Sequence, residues 1–157
     1  MPENLRSRLA ELALELPTVP LPHGEYVPVI VHNGIAYVSG QLSREGDEVV
    51  CGPVDNGTSV EKIRRAACAC VSRALAALDA HAGGIERIER ILFLRGFVYA
   101  DTTFQRHSRV LDEASRLLHE IFGHAGVHAR TAVGVSGLPD NGLLEIEVVV
   151  ALKEPDN

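Results

Sequence analysis

Apolar side chains recur every three or four positions from Val60 through Ile63, Ala67, Val71, Ala74 and Leu75 to Leu78, while Arg64, Arg65, Arg73 and Asp79 fall mostly off that line. A helix with a single apolar stripe has to lay it on a broad apolar surface, and the strand-like runs on either side make that surface a sheet. Thr58 and Glu61 have the spacing of a capping box that opens this helix, and Gly83-Gly84 closes it near Ala82. A second stripe, Val110, Leu111, Ala114, Leu117, Leu118 and Ile121, predicts another long helix that ends at Gly123, with Thr102 and Gln105 as its capping box.

The remaining segments fill in an α+β plan. Leu5, Leu9, Leu12 and Leu16 predict an amphipathic helix over residues 3–16, stopped by Pro17. Pro20, Pro22 and Gly24 make the following stretch a stiff connection, so residues 1–22 form an appendage and residues 23–157 the domain proper. Tyr26 to His32 and Ile35 to Gly40 read as strands joined at Asn33-Gly34, a strong hairpin signal. Residues 44–57 read as a loop and residues 90–100 as a buried strand. Thr131 to Gly137 and Leu143 to Leu152 read as a final hairpin around Pro139-Asp140-Asn141-Gly142. The strands keep apolar residues on both faces, whereas two long helices cover one. A closed homo-oligomer is the simplest way to bury the other.

Charge and motif content remove several function classes. The chain has 157 residues, 15 basic and 21 acidic, for a net charge of −6 with few aromatic residues, which disfavours a general nucleic-acid surface. Its apolar runs are too short to cross a bilayer, and no export signal is expected because Glu11 and Glu15 interrupt the leucines. Three cysteines fit a reducing, cytoplasmic setting. Cys68 and Cys70 stand two apart on a helix and so project to different sides, which makes them core residues rather than a metal pair. His119 and His124 are five apart, the wrong spacing for a zinc-binding helix, and His128 supplies no remedy.

One segment stands apart: His128-Ala129-Arg130-Thr131-Ala132-Val133-Gly134-Val135-Ser136-Gly137-Leu138-Pro139, followed by Leu144-Glu145-Ile146-Glu147-Val148. On composition alone it reads as an ion-paired surface hairpin. It also resembles the C-terminal signature of the Rid (reactive intermediate deaminase, or YjgF) family. Gly24-Glu25-Tyr26 and Ser39-Gly40-Gln41 resemble two further motifs of that family, in the same order, so that the likeness spans about residues 23–153.

The resemblance implies a chorismate-mutase-like fold, a mixed sheet with two long helices on one face, assembled as a homotrimer with clefts between subunits. It implies hydrolysis of enamines and imines such as 2-aminoacrylate to 2-oxo acids and ammonia, with no metal or cofactor. By motif, Arg130 anchors the substrate carboxylate, Glu145 positions the attacking water, Tyr26 and Ser39 line the cleft, and Gly40 brings backbone close to substrate. Ala132 stands where well-known members carry Cys; its backbone N–H donates as well as any. Two other functions suit the same residues: a non-catalytic carboxylate-binding protein using Arg130 and, with less support, an endoribonuclease. If the last two strands form a hairpin, Arg130 and Glu145 lie about 20 Å apart along it, so they meet only between chains or where a bulge bends the hairpin strongly.

Overall fold

The computed structural model describes residues 4–155. Strands β1 (Val29–His32) and β2 (Ile35–Leu42) form the expected hairpin. Asn33 and Gly34 both take positive φ, 50° and 74°, as a tight two-residue turn requires. Residues 44–49 are not plain loop: β3 (Arg44–Glu45) and β4 (Glu48–Val49) make a small separate ribbon. Helix α2 (Val60–His81) follows, then β5 (Ile88–Tyr99), α3 (His107–Phe122), β6 (Ala129–Val135) and β7 (Leu144–Leu152).

The main sheet runs β1-β2-β7-β5-β6. The last two strands are therefore not a hairpin, which corrects the expectation drawn from the turn residues. β6 pairs only with β5, in parallel, because α3 carries the chain back to the same end of the sheet before β6 begins. β7 then crosses to the middle, antiparallel to both β2 and β5. Its Leu144, Ile146, Val148, Val150 and Leu152 are all buried, so the more apolar strand takes the centre and β6, with Arg130 and Gly134, takes the edge. The crossing is pinned by the buried Ser43 hydroxyl, which accepts from the backbone N–H of Leu143 and Leu144 and donates to the Val50 carbonyl.

Both long helices pack on one face, and the core of Leu75, Leu78, Ile91, Leu94, Leu111, Leu118, Ile146 and Val148 lies between helices and sheet. The capping residues differ from those expected. Ser59 rather than Thr58 caps α2, accepting from the Lys62 N–H at 3.2 Å, while Thr58 is bonded to Asp55. Thr102 does not open α3, which starts at His107 without a side-chain cap. The N-terminal helix α1 (Leu5–Glu11) is shorter than the predicted 3–16, and residue 3 lies outside the described residues. It ends because Ala13 turns to positive φ and the Leu14 N–H reaches back to the Leu9 carbonyl. The Glu86 carboxylate accepts from the N–H groups of Leu5 and Arg6 at the start of α1, and Leu9 is buried against the core.

Candidate functional site

The β2–β7 ladder slips at Ser39–Gly40. Val38 pairs with Val148 but Gln41 pairs with Ile146, so β2 carries one extra residue there. The bulge turns the Ser39 hydroxyl toward the Pro28 carbonyl, to which it donates at 3.0 Å, and Gln41 Nε2 donates to the Ser39 carbonyl at 3.1 Å. A Cβ on Gly40 would collide with Glu145 Oε1, so the missing side chain makes room for the carboxylate of the adjacent strand. Sequence reasoning gave that space to substrate; here Glu145 fills it.

A cleft of about 610 Å³ opens over this bulge. Tyr26, Ser39, Gly40 and Glu145 line it, with Pro20 to His23 forming one rim and Arg44, Arg73 and Asp140 another. The connection after α1 thus contributes a wall of the cleft. Arg44 is ion-paired to Asp140, whereas Arg73, reaching in from α2, has a buried Nε with no hydrogen-bond partner among the described residues. Arg44 and Arg73 are charged lining residues that sequence analysis did not assign to the site. Helix phase placed Arg73 off the apolar stripe, and nothing in the local sequence says what lies on that side.

Arg130 and Ala132 stand elsewhere. Arg130 pairs in register with Leu94, and Glu145 pairs with Phe97, three positions along the same strand. Alternation puts the two side chains on opposite faces of the sheet. Arg130 lies on the helix side, where its terminal nitrogens bond the Asp112 carboxylate at 2.9 Å, the Ser115 hydroxyl at 3.0 Å, and the hydroxyl and carbonyl of Ser108 at 2.6 and 3.2 Å. Ser115 also bonds His128 Nε2 at 2.9 Å, while His128 Nδ1 meets the Gly126 carbonyl. Both ring nitrogens are thereby occupied. Burial, with His119 and Arg130 nearby, holds this imidazole below its usual range and favours a neutral ring, which donates from Nδ1 to the Gly126 carbonyl and accepts from the Ser115 hydroxyl at Nε2. Ala132 sits beside Gly96 on the same face and packs against the core.

Burial raises the Glu145 carboxyl above the usual range, and Glu147 pushes the same way. A folded-state value above the unfolded one means that stability is fullest at low pH and falls as pH rises through the raised value. Glu145→Gln is therefore expected to be more stable than wild type at neutral pH, by roughly 0.5–1 kcal/mol for a half-buried group, with the gap closing near pH 4. Urea melts at the two pH values check this; a variant weaker than wild type at pH 7 would mean that the carboxylate is held by favourable bonds instead.

Comparison with known proteins adds a family. Residues 6–152 match the family described as "YjgF/chorismate mutase-like, putative endoribonuclease". The Trypanosoma cruzi protein TCP17 is 31% identical over 151 residues, 95% of this chain and 94% of that one. The crystal structure of Atu1372, a protein of unknown function from Agrobacterium tumefaciens, is similar at 35% identity and a TM-score of 0.86, covering 95% of this chain and 92% of that one.

Proposed function

The chain belongs to the YjgF/chorismate mutase-like family, and we propose that it hydrolyses reactive enamines and imines of small amino acids, 2-aminoacrylate among them, to 2-oxo acids and ammonia. The observation that carries this reading is Glu145, a half-buried carboxyl with a raised pKa, facing a cleft beside Ser39 and Tyr26 without a cationic partner among the described residues. An imine carbon is already electrophilic, so the protein has to hold the substrate and manage protons. The enamine takes a proton from solvent at C3 to become the imine. Water adds to C2 of the protonated imine as Glu145 takes one of its protons; that proton then passes to nitrogen, and as the C–N bond breaks and ammonia leaves, the hydroxyl gives its own proton to solvent and becomes the carbonyl of the 2-oxo acid. A carboxylate made more basic by burial suits both transfers.

Arg130 serves as carboxylate anchor across a subunit boundary in this reading. Its own chain places it on the face opposite Glu145, at the free edge strand β6. The sheet face away from the helices exposes Ile30, Tyr37 and Val133, at 55%, 51% and 39%, an apolar surface suited to a second copy. A closed homotrimer brings the β6 edge of one copy to the cleft of the next, and Arg130 exchanges the Asp112 carboxylate for that of the substrate. Ala132 contributes backbone only.

Ammonia release is the direct test, with imines formed in situ by an amino-acid oxidase or a serine/threonine dehydratase. The protein is expected to accelerate release at least tenfold over buffer. A buffer rate across the panel, with pyruvate still bound, would identify a non-catalytic carboxylate binder.

A further inference from the structure

Arg73 is a cation that the proposed reaction leaves without a task. It projects from α2 into the same cleft as Glu145, Ser39 and Tyr26, and it is half-buried. Its Nε is fully shielded from solvent with no partner among the described residues. Arg44 cannot neutralise it, being itself a cation, and the nearby Asp140 is already engaged by Arg44. Burial and Arg44 both disfavour its charge, so an anion that enters here relieves a cost the folded chain already carries. Glu145 does not supply that anion, because no ion pair joins the two. The cleft thus is lined by both an unpaired guanidinium and an unpaired carboxyl.

We propose that Arg73 reads a second acidic group on the substrate, distal to the reacting carbon, so that the preferred substrates are imines of dicarboxylic amino acids. The chemistry follows from the two arginines. Arg130 holds the carboxylate next to the imine carbon, beside Glu145, and Arg73 pairs through its planar fork with the carboxylate at the far end of the side chain. A substrate lacking that group leaves Arg73 desolvated and unpaired, so 2-aminoacrylate and other neutral analogues are turned over less efficiently than the diacid. The inference rests on the deaminase reading for its reaction, although the ligand of Arg73 can be tested without turnover.

The full-length protein is assayed with 2-iminoglutarate and with the imines of alanine and leucine, each generated in situ. Wild type is expected to favour the dicarboxylic imine at least tenfold in kcat/KM. Arg73→Gln should collapse that ratio about tenfold, chiefly through KM for the diacid, and Arg73→Lys should restore part of it. An unchanged ratio, or an equal loss on all substrates, overturns the proposal. In parallel, calorimetry compares 2-oxoglutarate with pyruvate on wild type and both variants. Arg73-dependent preference for 2-oxoglutarate without turnover of any imine would sink the deaminase reading and leave the subsite standing. Turnover of all imines with no such preference would do the reverse.

Discussion

Arg130→Ala and Glu145→Gln are each expected to lower kcat/KM by at least 100-fold, and a mixture of the two inactive proteins, unfolded and refolded together, is expected to regain activity. The single losses follow from removing a charge-assisted bidentate contact in one case and a positioned proton carrier in the other. The recovery follows from the sheet. Arg130 and Glu145 stand on opposite faces of one chain, so no rearrangement of side chains brings them together within it. If each cleft takes Glu145 from one copy and Arg130 from its neighbour, random mixing leaves about a quarter of the clefts with both groups intact. Activity near that fraction of wild type is the expected reading. Demonstrably mixed oligomers that stay inactive would place both residues' roles within one subunit or assign them to folding.

That Arg130 and Glu145 of one chain stand apart was legible in the sequence, for a reason that the fold replaces. Turn residues at 139–142 announce that the chain reverses, and they do so, but a turn does not say which strand the next one pairs with. That choice depends on which strand carries the side chains to be buried, and β7, with every second residue buried between β2 and β5, outcompetes β6 for the centre. The two long helices and the Asn33-Gly34 hairpin were readable because their signals are local: helical periodicity, a glycine stop, a turn that demands positive φ. Helix starts were less so. Thr58 and Ser59 are both competent caps, and only the path of the loop decides that Thr58 turns back to Asp55.

The site divides in the same way. Of the six residues named together from their motifs, Tyr26, Ser39, Gly40 and Glu145 stand in one cleft, whereas Arg130 and Ala132 do not line it. What Gly40 does was not legible, since its bare Cα is filled by a side chain from a strand more than a hundred residues away. Arg73 was invisible for a related reason: one arginine off the stripe of a helix looks like any solvated charge until the sheet edge beside it is known. Arg130 was recognisable as special, but not its setting. Four of its N–H groups are taken by Asp112, Ser115 and Ser108, all on a helix whose sequence spacing says nothing about a strand that follows it.

That setting hangs on one small residue. A Cβ on Gly126 would run into the Leu118 carbonyl oxygen, and would lie 2.8 Å from the Leu118 carbonyl carbon and 3.1 Å from His119 Cα. These are backbone atoms of the last turns of α3, which cannot yield without opening the helix end that packs Leu118 and Ile121 into the core. Gly126→Ala is therefore expected to destabilise the protein by about 3 kcal/mol, lowering Tm by roughly 10 °C. Gly137→Ala, with nothing within 4 Å of the new methyl group, is the control and should fall within about 0.5 kcal/mol of wild type. The same substitution at 126 displaces the carbonyl that receives His128 Nδ1, and through His128 and Ser115 the hydrogen bonds that orient Arg130. Binding of pyruvate should weaken along with stability, and the nitrogen chemical shifts of His128 should lose the signature of a single neutral tautomer. If Tm falls while the His128 tautomer and pyruvate affinity hold, the turn at Gly126 supports the core alone and Arg130 is oriented by Asp112 and Ser108 without it.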